Sequence, residues 1–300
     1  MLAILGSAAA IQAMPTSTTD APSPFGVSLG TETQTFRREE ERNISKIDSH
    51  LYPTVSYEVN EETSFKLYPD ITYTRDNDSS KVNYESTLSN AVLRWDQKKI
   101  LSSFDENLDM KSSLRYYRNF GTSRDATKSD GILNLRLYPN YKFSDNFTLK
   151  NELRFSGYNL RRTGKQDGAT YSKELASVTP TYTVDSKLTV ASDVIYESKH
   201  TKKADAEING RFNRYNSNKL TVSPFAEYAF TPEFTAAFQM NIFEAGTSID
   251  EQKFTVAPYF MYNPTDKIAA QLTLEFQGRN MTQNFSKTVS ALLELSLTAF

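Results

Sequence analysis

The stretch ILNLRLYPNYKFSDNFTLKNELRFSGY, residues 132–158, decides the fold because its hydrophobicity alternates with a period of two. Leu133 and Leu135 fall on one face of an extended chain, whereas Asn134 and Arg136 fall on the other. Two such segments around the polar break SDN predict a β-hairpin. Unpaired charges are not buried in an apolar core, so the polar face meets water. An apolar outer face and a polar inner face indicate a transmembrane β-barrel.

Composition narrows the class of protein further. The chain has 300 residues, a net charge of -2, no cysteine and a mean hydropathy of -0.54. This length fits one large all-β domain, and the charge gives no support for nucleic-acid binding. The sequence has no phosphate-binding loop and no metal-ligand spacing, so we expect neither a cofactor nor a metal. The low hydropathy suits a barrel, in which only every second strand residue is apolar.

The chain divides into three parts. Residues 1–13, MLAILGSAAAIQA, resemble the apolar core and cleavage site of a secretory signal peptide. They lack the basic N-terminal region of a signal peptide, so the true N-terminus lies upstream or, alternatively, the segment is a buried helix. Residues 14–24 are rich in Ser, Thr and Pro and are predicted to be a disordered spacer. Residues 25–300 are predicted to form a single barrel domain.

The barrel is predicted to be antiparallel and to have about 14 strands, with 12 to 16 also compatible. Six short turns lie near residues 60, 105, 145, 185, 232 and 265, and seven longer polar loops alternate with them. Both ends of the barrel then lie on the short-turn side, with short periplasmic turns and longer outer loops. The strand boundaries are least regular around residues 82–107 and 198–218. The polar stretch 75–81 is predicted to be a loop.

A second pattern recurs before the short turns, where a proline precedes an aromatic residue by four positions. Both residues then lie on the outward face, so the aromatics are predicted to form a girdle at the membrane interface. A packing motif at hairpin ends in a soluble sheet is the alternative. Because proline cannot donate to the ladder, we expect bulges or ladder ends there. The predicted interface aromatics are Tyr57, Phe143, Tyr228 and Tyr262.

These alternating segments, the signal-like start and the terminal Phe300 together resemble a porin-like outer-membrane β-barrel of Gram-negative bacteria. The resemblance covers the chain after residue 24 and is architectural. It implies contacts with outer-membrane lipid and lipopolysaccharide, and with the barrel-assembly machinery through the C-terminal strand. The apolar series near the C-terminus is out of phase with Phe300, so the strand slips by one residue or the assembly signal is atypical. A β-propeller also fits a period of roughly 40 residues, but its strands are shorter.

The polar face predicts what the barrel does. Charged side chains that line a pore set ion preference, so we expect passive diffusion of small hydrophilic solutes through the lumen. A basic arc favours anionic solutes, while a lattice of ion pairs that fills the interior is the alternative. The predicted basic lining residues are Lys111, Arg115, Arg136, Lys142, Lys150 and Arg154. The predicted acidic ones are Glu58, Asp193, Glu197, Glu227 and Glu275.

Two other functions remain open at this point. A closed structural or adhesive barrel would act through its outer loops. An outer-membrane hydrolase would need His50 or His200 beside a serine and an orienting polar group. Serine is common throughout the chain, so we predict no catalytic residue and no enzyme.

Overall fold

The computed structural model describes residues 23–37, 46–78, 81–101, 104–121, 124, 128–160, 169–202, 214–246, 254–278 and 288–298. They form strands β1 (Phe25–Arg37), β2 (Lys46–Glu58), β3 (Thr63–Asp78), β4 (Lys81–Gln97), β5 (Leu108–Asn119), β6 (Ser129–Lys142), β7 (Phe147–Leu160), β8 (Thr170–Thr183), β9 (Leu188–Lys202), β10 (Arg214–Ala229), β11 (Phe234–Asn241), β12 (Phe243–Gly246), β13 (Phe254–Thr265), β14 (Ile268–Gly278) and β15 (Thr288–Thr298). Among these residues, no helix is long and apolar enough to cross a membrane.

The strands close into one antiparallel ring. Each strand pairs with its neighbours in sequence, except that β13 pairs with β11 and β12 pairs with β10, and β1 pairs with β15 from Ser28↔Thr298 to Arg37↔Val289. Both β11 and β12 pair with β10, so they are two parts of one spanning strand, interrupted at Ile242. The result is a closed barrel of 14 spanning strands, which confirms the predicted fold and strand number.

Burial is inverted relative to a soluble protein. Leu133 is 53% exposed, while its neighbour Asn134 is 5% exposed and Arg136 is 8% exposed. Among the described residues, only four hydrophobic side chains are buried, and three of these are alanines. In contrast, 14 polar or charged residues are buried. An exposed apolar belt this continuous marks a surface that faces lipid rather than water. The polar side chains therefore line the interior.

The prolines interrupt the hydrogen-bond ladders, as the sequence predicts. Pro53 and Pro69 face each other across β2 and β3, where the ladder stops at Leu51↔Ile71 and resumes at Val55↔Leu67. Each of them still pairs on its other side, Pro53 with β1 and Pro69 with β4. A missing proline N–H thus opens one ladder and leaves the other intact.

A neighbouring side chain closes one of these openings. In the gap between β6 and β7, the side-chain amide of Asn151 donates to the carbonyl oxygen of Pro139 at 2.6 Å. The backbone N–H of Asn151 donates to Oδ1 of Asn140 at 3.1 Å. The backbone groups freed by the proline are therefore paired within the barrel wall.

The structure corrects the predicted connections in two places. Residues 75–78 and Lys81 belong to strands and not to a loop, because β3 and β4 stay paired as far as Asp78↔Lys81. Polar side chains are tolerated there because the hairpin extends beyond the apolar belt. The β4–β5 connection, predicted as a short turn, occupies residues 98–107. The predicted signal peptide 1–13, residues 14–22 of the spacer, and Phe300 lie outside the described residues.

Candidate pore lining

Two neighbouring rows of the inner face carry five basic residues. In the first row, Lys66 on β3 lies opposite Arg94 on β4, which lies opposite Arg115 on β5. In the second row, Arg136 on β6 lies opposite Arg154 on β7. Their strand neighbours on the other face, such as Leu67 and Leu93, are exposed apolar residues. We call these five cations, Lys66, Arg94, Arg115, Arg136 and Arg154, the basic wall.

Each arginine of the basic wall is held by a polar group two residues away on its own strand. The Nε of Arg94 donates to Asp96 at 2.7 Å, and that of Arg154 donates to Glu152 at 2.8 Å. The Nε of Arg115 donates to Ser113 at 3.1 Å, and that of Arg136 donates to Asn134 at 2.7 Å. Residues two apart on a strand share a face, so the same alternation that points these side chains inward also orients them.

The lysines of the predicted basic arc lie closer to the short-turn end of the barrel than the arginines do. Lys111 pairs with Asp109 at 2.9 Å and Lys142 pairs with Asp145 at 2.6 Å, both close to the short turns and about half exposed. Lys150 is exposed on the inner face of β7. The predicted arc therefore occupies two levels, arginines in the middle of the wall and lysines near its short-turn end.

The predicted acidic residues are spread around the ring and mostly paired. Glu227 accepts a hydrogen bond from the hydroxyl of Tyr259, and Glu197 pairs with Lys173 at 2.7 Å. Asp193 accepts hydrogen bonds from Thr179 at 2.6 Å and from Gln239 at 3.2 Å. Glu58 lies at the short-turn end of β2, and Glu275 lies opposite Ser290.

Sequence reasoning missed a second acidic group at the β15–β1–β2–β3 side of the ring. Glu32 lies opposite both Glu294 and His50. The Nδ1 of His50 lies 2.8 Å from Asp70, whose other oxygen accepts from Asn90 at 3.2 Å. Lys66 and Arg94 of the basic wall were also missed. Lys66 stands between Phe65 and Leu67, so the same alternation could have found it.

The two histidines do not form a hydrolase site of the expected kind. Ser89 contacts Thr72, and Thr72 lies 3.3 Å from the Nδ1 of His50, the same nitrogen that pairs with Asp70. A relay needs the nucleophile and the orienting group on different ring nitrogens.

His200 shows the same defect, since its Nε2 lies 3.3 Å from Ser198 and 2.8 Å from Glu174. Within the described part of the chain, no group of three or more His, Asp or Glu residues is arranged to hold a metal ion.

Comparison with known proteins agrees with the architecture. No protein-family model and no curated protein sequence matches this chain. A bacterial polysaccharide outer membrane secretin superposes with a TM-score of 0.53 and 10% identity, over 91% of this chain and 98% of the other. Salmonella typhi OmpF in complex with daunomycin superposes with a TM-score of 0.50 and 8% identity, over 92% and 97%. The chain is a β-barrel that resembles outer-membrane porins and channels in its fold. At these identities the likeness concerns the fold alone.

The predicted interface aromatics of this barrel are exposed and lie near the short turns. Tyr57, Phe143, Tyr228 and Tyr262 are between 40% and 60% exposed. They are joined by aromatics outside the proline pattern, since Phe143 contacts Phe147 with ring centroids 5.4 Å apart. Further outward aromatic pairs at the same end are Phe25–Tyr57, Tyr228–Phe230, Phe230–Phe234 and Phe234–Phe260.

Proposed function

We propose that this protein is a passive channel that lets small hydrophilic solutes, anions in preference, cross the outer membrane of a Gram-negative bacterium. The observation that carries the proposal is the inverted burial of a closed barrel. Its outer face offers apolar side chains to lipid, and its inner face offers charged ones to an interior that water can reach. The side chain of Arg94, for example, is 28% exposed although it points inward.

The ring size is compatible with this function. Eight strands enclose only their own side chains, whereas 16 to 18 leave an aqueous channel. A barrel of 14 spanning strands lies between these cases, so its long inner side chains narrow the passage. Ion preference then follows from the charges at the narrowest level, where a solute must shed part of its water.

The distribution of charge supports the anion preference. The basic wall spans β3–β7, and the acidic residues Glu32, Glu294 and Glu275 lie on β1, β15 and β14, away from that wall. An anion that passes along the basic wall meets five cations, of which Arg94 is paired with Asp96, and Arg136 and Arg154 share Glu152. Toward the short-turn end, Lys150 adds a further cation, while Lys111 and Lys142 pair with Asp109 and Asp145.

The remaining assignments belong to the same proposal. The exposed aromatics near the short turns anchor the barrel at the periplasmic interface, where the amphipathic rings of Tyr57, Tyr228 and Tyr262 are favoured. Residues 1–13 direct export, and Phe300 contributes to recognition by the assembly machinery. The basic sequence segments with Arg161, Arg162 and Lys165, and with Lys202 and Lys203, meet anionic lipopolysaccharide or an acidic solute.

Conductance in a planar bilayer tests the proposal. We expect discrete current steps from the refolded protein and an anion-leaning reversal potential in a KCl gradient. Arg115→Gln should shift the reversal potential toward cations. Arg118→Gln removes the same charge from the outward face of the same strand and should leave it unchanged. Inserted protein without current steps would contradict the channel and favour a closed barrel, in which the ion pairs of Glu152 with Arg136 and Arg154 fill the lumen.

A further inference from the structure

The first row of the basic wall places three like charges side by side. Lys66, Arg94 and Arg115 are direct register partners on three adjacent strands. Side chains directly opposite each other in a sheet have Cβ atoms about 4.5–5.5 Å apart, and like charges in that position repel. The row is therefore costly unless a negative charge joins it.

The surrounding wall supplies too little negative charge. On β3–β7, the first row continues from Arg115 with Asn134 and Ser156. The row beside it consists of Ser64, Asp96, Ser113, Arg136 and Arg154. These ten positions hold five cations and one carboxylate. That carboxylate, Asp96, is engaged by Arg94 at 2.7 Å. The nearby Glu152 on β7 pairs with Arg154 and Arg136 rather than with the first row.

The first row is also held in a fixed position and remains accessible from the interior of the barrel. Ser113, Asn134 and Ser156 are at most 8% exposed, so the wall behind the cations is closely packed. The Nε of Arg115 donates to the hydroxyl of Ser113 at 3.1 Å, which fixes the orientation of its guanidinium group. Lys66, Arg94 and Arg115 themselves keep intermediate exposure. Tyr117, on the same face as Arg115, places its hydroxyl 3.5 Å from Nη2 of Arg136.

We propose that Lys66, Arg94 and Arg115 form a binding site for a compact divalent oxyanion, namely inorganic phosphate or the phosphate group of a small organic phosphate. This deepens the proposed function, since the site lies in the wall along which anions would pass. A tetrahedral dianion accepts hydrogen bonds in several directions, so it can meet three donors on three strands. A monocarboxylate is satisfied by the two donors of one arginine.

Binding is tested on the detergent-folded protein by thermal unfolding and on the bilayer-inserted protein by inhibition of chloride current. The probes are inorganic phosphate, glucose 6-phosphate and acetate, at equal ionic strength and about pH 8, where phosphate is mainly a dianion. We expect both phosphates to raise the melting temperature and reduce the chloride current at concentrations at least about tenfold below acetate. A stronger effect of glucose 6-phosphate than of inorganic phosphate would identify an organic phosphate as the ligand.

Three variants locate the site. Lys66→Gln and Arg115→Gln should each weaken the phosphate effect about tenfold, the loss of one charge-assisted hydrogen bond. Two variants on different strands guard against one that does not fold. Arg118→Gln, on the outward face of β5, should leave the phosphate effect unchanged. Equal effects of phosphate and acetate, or an equal loss in Arg118→Gln and Arg115→Gln, would overturn the proposal.

The two readouts also separate this site from the channel. Phosphate-specific stabilisation that depends on Lys66 and Arg115, in a protein that gives no current, would support the site and remove the channel. Current without any phosphate-specific effect would leave the channel and overturn the site.

Discussion

Glu152 holds together the most crowded part of the basic wall, and its replacement by glutamine gives a sharp prediction. Its Oε1 lies 2.7 Å from Nη2 of Arg154 and 3.8 Å from Nη1 of Arg136. The side chains of the three residues are only 16%, 13% and 10% exposed, respectively. Arg136 and Arg154 are direct register partners, so Glu152→Gln leaves two adjacent cations without their shared carboxylate.

The size of the effect follows from these distances. With an effective dielectric constant of about 20, the gross attractions are about 6 kcal/mol to Arg154 and about 4 kcal/mol to Arg136. Water in the lumen replaces part of this attraction, and the breaking of a buried ion pair costs about 3–5 kcal/mol in measured cases. We expect Glu152→Gln to lower the free energy of unfolding by about 3 kcal/mol, or about 150-fold in the equilibrium constant.

Urea unfolding from lipid vesicles measures this loss, with Trp95, the single tryptophan of the chain, as the fluorescent reporter. Two further observations follow from the mechanism. Salt at about 1 M shortens the Debye length to about 3 Å and should restore part of the stability. The double variant Glu152→Gln/Arg136→Gln should be more stable than the single variant, because it removes one of the two repelling charges.

A matched control is Glu197→Gln, which removes an inner carboxylate that pairs with Lys173 at 2.7 Å. Both partners are about 30% exposed, so the loss should stay within about 1 kcal/mol. The reasoning fails if Glu152→Gln unfolds at the same urea concentration as the wild type. It also fails if the double variant is less stable than Glu152→Gln.

Two more predictions concern the faces and the turns. Leu272→Arg places a charge on the lipid face of β14 and should lower the free energy of unfolding by about 2–4 kcal/mol. Gln271→Arg, on the lumen face, should lower it by less than about 1 kcal/mol. Equal losses of stability in urea unfolding would contradict the assigned faces. Asp185 accepts hydrogen bonds from the backbone N–H groups of Lys187 and Leu188 at 2.7 and 2.8 Å, which lower the pKa of its carboxyl. The stability from this turn is therefore present above the unfolded pKa of about 3.9 and is lost as pH falls through the lower folded pKa. The free energy of unfolding, measured from pH 7 to pH 2, should fall at acid pH in the wild type. It should fall less in Asp185→Asn, which keeps an uncharged acceptor. Identical pH profiles of the two proteins would refute the role of the Asp185 carboxylate.

Local pattern was enough for the elements of the fold because strand periodicity is a property of consecutive residues. Leu133, Asn134, Leu135 and Arg136 alternate in sequence, and the structure exposes the first and third and buries the second and fourth. The prolines likewise predicted the interruptions of the hydrogen-bond ladders, because a proline lacks the backbone N–H in any tertiary context.

Local pattern failed where long-range pairing decided the outcome. The polar run 75–81 has the composition of a loop, yet the cross-strand hydrogen bonds of β3 and β4 continue to Asp78↔Lys81. The interruption at Ile242 likewise depends on the register with β10, which shifts by one residue between β11 and β12.

The sequence by itself determined that the chain forms strands of alternating hydrophobicity and which face of each strand is apolar. It therefore also determined that the apolar face of the barrel points outward to lipid. Only the tertiary structure decided which charges stand next to one another. Lys66, Arg94 and Arg115 are 28 and 21 residues apart along the chain, and they meet because antiparallel register fixes which residues of neighbouring strands lie opposite. A shift of register by two residues would keep every side chain on its face and would disperse this row, so the alternation alone does not specify it.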